Sequence, residues 1–120
     1  MRKRILIAED FETLSKLIRN SLRSLDADFI EASDGQEAIS KAGSEHPDLI
    51  IMDVGMPKIN GYDATRAIKS SPETRHIPVL ILTATGDQKE AQRAGADDFL
   101  AKPYSPSDLK ARVSKLMGLS

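Results

Sequence analysis

The sequence contains no cysteine and no tryptophan, and aromatic residues make up only 4% of its 120 positions. Without cysteine there are no disulfides and no thiolate metal sites, which fits a reducing compartment such as the cytosol. So few aromatic rings argue against a base-stacking platform for nucleic acid. A basic excess, the usual footprint of a nucleic-acid binder, is also missing: 17 basic residues face 18 acidic ones, for a net charge of −1. Long apolar runs are absent too. The opening MRKRILIAED begins like a signal peptide, but Glu9 and Asp10 cut its apolar stretch far short of a signal core or a membrane span. No repeat, low-complexity tract or linker interrupts the chain. These absences lead us to expect one cytoplasmic globular domain over residues 1–120, with no output domain, no membrane insertion and no direct contact with nucleic acid.

What is present is an ordinary globular composition, 40% hydrophobic and 29% charged. A chain of this length can bury roughly two-thirds of the surface it exposes when unfolded, so it needs no covalent staples. Dense runs of Ile, Leu and Val occur at Arg4–Ala8, Asp48–Asp53 and Ile77–Thr83. Such runs suit parallel strands covered on both faces. Two weaker runs, Asp28–Ala32 and Asp97–Ala101, suit strands nearer the sheet edges. Between the runs the apolar spacing is helical. Phe11, Leu14, Ile18, Leu22 and Leu25 recur every three or four residues, which predicts a first helix with those side chains inward. Asp34 with Glu37, Asn60, and Ser105 followed by Pro106 are start signals for later helices. Five βα repeats imply a doubly wound parallel sheet with helices on both faces.

In such sheets the functional groups gather at the carboxyl ends of the strands. Glu9 and Asp10 follow the first run, Asp53 ends the third, Thr83 ends the fourth, and Lys102–Pro103 follow the fifth. Taken singly, each has an ordinary structural role: acids suit a helix N-terminus, an aspartate can cap, a threonine packs in a strand. Together they place three acids, a hydroxyl and an amine on one edge. Carboxylates about 5 Å apart repel by about 3 kcal/mol per pair at an effective dielectric of 20, so three of them call for a cation. All-oxygen ligands favour Mg²⁺ or Mn²⁺ over zinc. Lys102 suits a phosphoryl oxygen, Thr83 offers a hydroxyl donor, Gly55 lets the backbone bend so that its carbonyl can face the ion, and Pro57 stiffens the loop. This set suits phosphoryl transfer, with aspartate able to take the group as an aspartyl-phosphate.

Four segments, ILIAED, LIIMDVGMPKINGYD, LILTA and GADDFLAKPY, occur in that order, each at a strand end. Through them the chain resembles the receiver domains of bacterial two-component response regulators along essentially its whole length. The resemblance implies a flavodoxin-like (βα)5 domain with a five-stranded sheet of order 2-1-3-4-5. It implies that Asp53 is the phosphoacceptor and that Asp10 binds Mg²⁺ directly, Glu9 mainly through water, and Gly55 through its carbonyl. Thr83 and Lys102 would hold the phosphoryl oxygens, Phe99 would be the switch aromatic, and the Lys102–Pro103 bond would be cis. The donor would be a histidine kinase or a histidine phosphotransfer protein, and a downstream protein would read the altered surface. The expected function is therefore a phosphorylation-dependent signalling switch rather than a turnover enzyme.

Two departures from the family pattern stand out. Glu9 takes a place more often held by aspartate. The segment from Thr83 to Lys102 is a few residues short, and Asp87, Glu90 and Gly95 bracket a fourth helix of only about two turns, marginal on its own. Two other functions make different predictions. A small-ligand-binding flavodoxin-like module predicts a Gly-rich or Ser/Thr-rich loop after the first strand, where this chain has EDFET. A degenerate receiver serving as an interaction adaptor predicts loss of Asp53, Thr83 or Lys102, and all three are present; the short fourth helix leaves that option open for the output step.

Overall fold

A computed structural model of the chain describes residues 2–84 and 88–118. Strands and helices alternate: β1 (Lys3–Ala8), α1 (Glu12–Ser21), β2 (Ala27–Ala32), α2 (Gly35–Glu45), β3 (Leu49–Asp53), α3 (Gly61–Ser70), β4 (Val79–Thr83), α4 (Gln88–Ala94), β5 (Asp98–Ala101) and α5 (Pro106–Leu116). The strands form one parallel sheet in the order β2-β1-β3-β4-β5. The two weak apolar runs are the two edges. The three dense ones are central, and every residue of β3 and β4 is buried.

The strand alternation divides the core in two. Leu6, Ala8, Ile50, Met52, Val79 and Ile81 face α2, α3 and α4. Ile5, Ile7, Leu49, Ile51, Leu80 and Leu82 face α1 and α5. Each fully buried Ile or Leu stabilises the fold by about 1.5–3 kcal/mol relative to an exposed one, so the central strand ends are firmly placed. β4 starts at Val79 rather than Ile77 because Pro78 has no N–H for the ladder, although its carbonyl accepts from the Ile50 N–H.

The start signals act as local chemistry requires. Asp34 accepts from the Glu37 N–H at 2.7 Å, and the Glu37 carboxylate accepts from the Ser33 N–H at 2.8 Å. Asn60 accepts from the Asp63 N–H and Ser105 from the Asp108 N–H. The seven-residue α4 is shorter than the other helices, which have ten or eleven. Its expected cap, Asp87, lies outside the described residues. It ends at Gly95, in the left-handed region at φ 91, with the Ala96 N–H bonded to the Ala91 carbonyl.

Helix α1 departs from its periodic pattern. Ile18 and Leu22 are buried, but Phe11 is 67% exposed, Leu14 40% and Leu17 55%. The first turns of α1 follow the carboxyl end of β1, where the sheet face beneath them runs out. Leu14 and Leu17 there line a cleft instead of a core.

Two glycines of α2 test the packing in opposite directions. A Cβ on Gly35 would come within 1.9 Å of the Ile59 carbonyl oxygen, whereas one on Gly43 would meet nothing within 4 Å. Gly35→Ala should lower unfolding free energy by about 1–3 kcal/mol through overpacking. Gly43→Ala should raise it by about 0.5–1 kcal/mol through reduced chain entropy. Urea unfolding of the two variants reads both signs.

Candidate functional site

The site lies where β1, β3, β4 and β5 end. Backbone hydrogen bonds carry the sheet one residue past each strand: the Glu9 N–H donates to Ala32, Val54 to Leu82, and Lys102 to the Thr83 carbonyl at 2.8 Å. The side chains that follow the strands are therefore placed by the ladder rather than by loops. At the end of β3 the chain turns, and the Gly61 N–H donates to the Val54 carbonyl at 3.0 Å. A Cβ on Gly61 would stand 2.3 Å from the Asp53 carbonyl oxygen, so α3 can pack this close behind Asp53 only with glycine there.

Asp53 is buried and pairs through Oδ1 with the Lys102 ammonium. Its Oδ2 accepts from the Gly55 N–H at 3.1 Å. Glu9 is also buried, and Asp10 beside it is exposed. One carboxylate oxygen from each of Glu9, Asp10 and Asp53 lies within 4.8 Å of the others. The Lys102–Pro103 peptide bond is cis. Pro57 is exposed in the loop after β3, where Lys58 takes a positive φ of 68. Phe99 stands on β5 in register with Ile81, half-buried against the core face that also holds Tyr62. His46 and His76 are both exposed, away from this edge.

Gly55 does not serve the site through a left-handed backbone. Its φ lies outside that region, and a Cβ built on it would meet only Asp53 Oδ2, at 3.7 Å. What the position contributes is an open flank and an N–H directed at the carboxylate.

The electrostatics follow from this crowding. Burial, then the charge and hydrogen bond of Asp53, with Asp10 adding to them, push the Glu9 carboxyl up to about 8, against the opposing pull of Lys102. Burial works against the Lys102 ammonium, but its hydrogen bond to Asp53 and the charges of Asp53 and Glu9 outweigh that and raise its pKa. One ammonium does not neutralise three acids, so the cluster keeps a proton. The donor set is all oxygen, partly buried and under-neutralised, which fits a hard divalent cation.

Two residues that strand-end reasoning did not single out belong to this edge. Gly61 was visible only as part of a motif, although glycine in the first position of a helix is a recognisable mark of close approach. Tyr62, the next residue, sets its hydroxyl 3.3 Å from Thr83 Oγ1. Nothing local in the sequence marks it, since a tyrosine in a first helical turn has no distinguishing pattern.

The raised pKa fixes the sign of a pH effect. Metal-free protein binds one more proton at Glu9 than the unfolded chain does between the ordinary value of 4.5 and about 8. That stabilisation is fully present below 4.5 and is lost as pH rises through 8. Urea midpoints of metal-free wild type should therefore fall with rising pH across this window relative to Glu9→Gln. Saturating Mg²⁺ at the alkaline end should recover the loss.

The chain matches the response regulator receiver domain family over residues 5–114. It is 37% identical to the alkaline phosphatase synthesis transcriptional regulatory protein PhoP of Bacillus subtilis, over 98% of this chain and 49% of PhoP. The chain thus spans about half the length of that relative and of several others. It is 36% identical to the polar-differentiation response regulator DivK of Brucella ovis, over 98% of each. Among solved structures it superposes on the receiver domain of sensor histidine kinase PA1611 from Pseudomonas aeruginosa with a TM-score of 0.89 and 33% identity, over 98% of this chain and 99% of that one. A magnesium ion is coordinated in the active-site cleft of that protein. The chemotaxis response regulator CheY4 of Vibrio cholerae superposes with a TM-score of 0.89 and 26% identity, over 97% of this chain and 99% of CheY4. With five parallel strands in this order and acids, hydroxyl and lysine at their carboxyl ends, the chain belongs to the response regulator receiver domain family.

Proposed function

We propose that this receiver domain is a phosphorylation-dependent switch in which Asp53 takes a phosphoryl group from a phosphohistidine on a kinase or phosphotransfer protein. The observation that carries this reading is the convergence of Asp53 with Lys102, Glu9 and Asp10 at one sheet edge. Glu9, Asp10 and Asp53 would hold Mg²⁺ or Mn²⁺, with the Gly55 carbonyl as a further ligand. When bound, the cation would offset negative charge on the transferring group.

A carboxylate oxygen of Asp53 attacks phosphorus as the phosphorus–nitrogen bond breaks. The imidazole nitrogen keeps the electron pair and takes up a proton. Lys102, already paired with Asp53, follows the charge onto the phosphoryl oxygens. The Thr83 hydroxyl is drawn the same way, and Phe99 turns into the space it leaves. The readout is a shift between two packings of β4, α4 and β5, which a downstream protein recognises. Asp53 itself carries the group, so the domain signals and does not turn over an external substrate.

An apolar cleft beside the site supports docking of a protein donor there. Leu14, Leu17, Pro103, Tyr104 and Pro106 border a cleft of about 320 Å³ that reaches Glu9 and Lys102. A protein delivering phosphate to Asp53 meets this apolar rim first, and the exposed side chains of α1 continue it.

Incubation with acetyl phosphate and Mg²⁺ should add one phosphoryl mass that survives acid and is lost in alkali. Asp53→Asn should abolish it; folded wild type that gains no mass under these conditions refutes the switch. Asp10→Ala should weaken Mg²⁺ binding much more than Glu9→Ala, by calorimetry. Leu17→Ser should leave acetyl phosphate labelling unchanged while slowing labelling by a histidine kinase that phosphorylates the wild type.

A further inference from the structure

We infer that Tyr62 is a positioning residue that holds the Thr83 hydroxyl in its resting place and so opposes the switch. The inference rests on the phosphorylation reading above. Strand alternation directs Thr83 towards the α3–α4 face of the sheet, since Val79 and Ile81 face that side. Tyr62, in the first turn of α3, packs against the same core, and its hydroxyl lies 3.3 Å from Thr83 Oγ1. The two hydroxyls are within hydrogen-bond reach, and either can donate. Asp53 stands at the end of the neighbouring strand. Where Thr83 is the donor, its one O–H is committed to Tyr62, and turning it to a phosphoryl oxygen there requires that bond to break or reverse.

The next turn of α3 continues the tether. Arg66, four residues after Tyr62 and therefore on the same helix face, reaches the Glu90 carboxylate of α4 at 2.5 Å. Lys69, three further on, pairs with Asp97 just before β5 at 2.7 Å. One face of α3 thus contacts the end of β4, then α4, then the approach to β5, the segment that the proposed switch repacks. Tyr62 is the grip that touches the switch hydroxyl. The switch aromatic of this chain, Phe99, has no hydroxyl of its own, so the phenol that meets Thr83 comes from α3.

The chosen variant is Tyr62→Phe, which keeps the ring and its packing. Losing one neutral hydrogen bond in the resting state corresponds to about a 2- to 10-fold gain for the competing state. Titration with beryllofluoride in the presence of Mg²⁺, followed by NMR, should show Tyr62→Phe saturating at a concentration lower by about that factor. In a Thr83→Ala background the same change should have no effect, because the group it holds is gone. Unfolding midpoints of both variants separate this from a general loss of packing. Unchanged or weaker binding in Tyr62→Phe, or an equal effect with and without Thr83, overturns the inference. A second arm needs no phosphoryl chemistry. In resting, metal-free protein the Thr83 methyl and amide resonances should shift in Tyr62→Phe, and unmoved Thr83 resonances in that variant also overturn it. If wild type fails to bind beryllofluoride while the Thr83 resonances do shift, the contact stands and the phosphorylation reading is what fails.

Discussion

The ion pair between Lys102 and Asp53 joins two positions 49 residues apart, and the character of the site turns on it. It brings an ammonium to the end of β3, where a buried carboxylate would otherwise carry a desolvation cost of several kcal/mol. The pairing is incomplete by construction. Glu9 and Asp10 crowd the same place, and Lys102 cannot serve all three acids. Glu9 therefore keeps its proton to about pH 8 in the metal-free protein. The chemistry of a site in that condition fits a divalent cation, which under the proposed function would be joined by phosphoryl oxygens.

The scaffold contributes by burying and hydrogen-bonding the strand ends. β3 and β4 are buried at every residue, and the hydrogen-bond ladder runs on to Glu9, Val54 and Lys102. The candidate site side chains thus start from buried, hydrogen-bonded strand ends. Close approach of α3 behind Asp53 depends on Gly61, whose missing side chain leaves room for the strand-end carbonyl. The result is a charged cluster positioned by an apolar core rather than by its own interactions.

The two faces of the sheet play different parts. On the α1 and α5 side, exposed apolar side chains of α1 stand next to the site. On the other side, α3 holds Thr83, α4 and the approach to β5 through Tyr62, Arg66 and Lys69. Under the proposed function, arrival of the phosphoryl group and transmission of its effect would be separated across one sheet. The brevity of α4 matters on the second side, because a seven-residue helix has little stability of its own and depends on these contacts.

Much of this could be read from the chain. Dense Ile, Leu and Val runs identify the central strands, weaker runs the edges, and the caps at Asp34, Asn60 and Ser105 the helix starts. Such signals are local, since periodicity and capping act within a few residues. They also decide which residues stand at the strand ends, so the candidate set of Glu9, Asp10, Asp53, Thr83 and Lys102 follows from the order of the chain once a parallel sheet is assumed. Three-dimensional packing decided the rest. It left Phe11 and Leu14 exposed although their spacing was helical, because the sheet ends beneath them. It set Tyr62 against Thr83, and Gly61 against Asp53, through contacts between elements that no local pattern encodes. It also set the protonation of Glu9, because a pKa depends on which charges lie within a few ångströms, and that is a property of the folded chain alone.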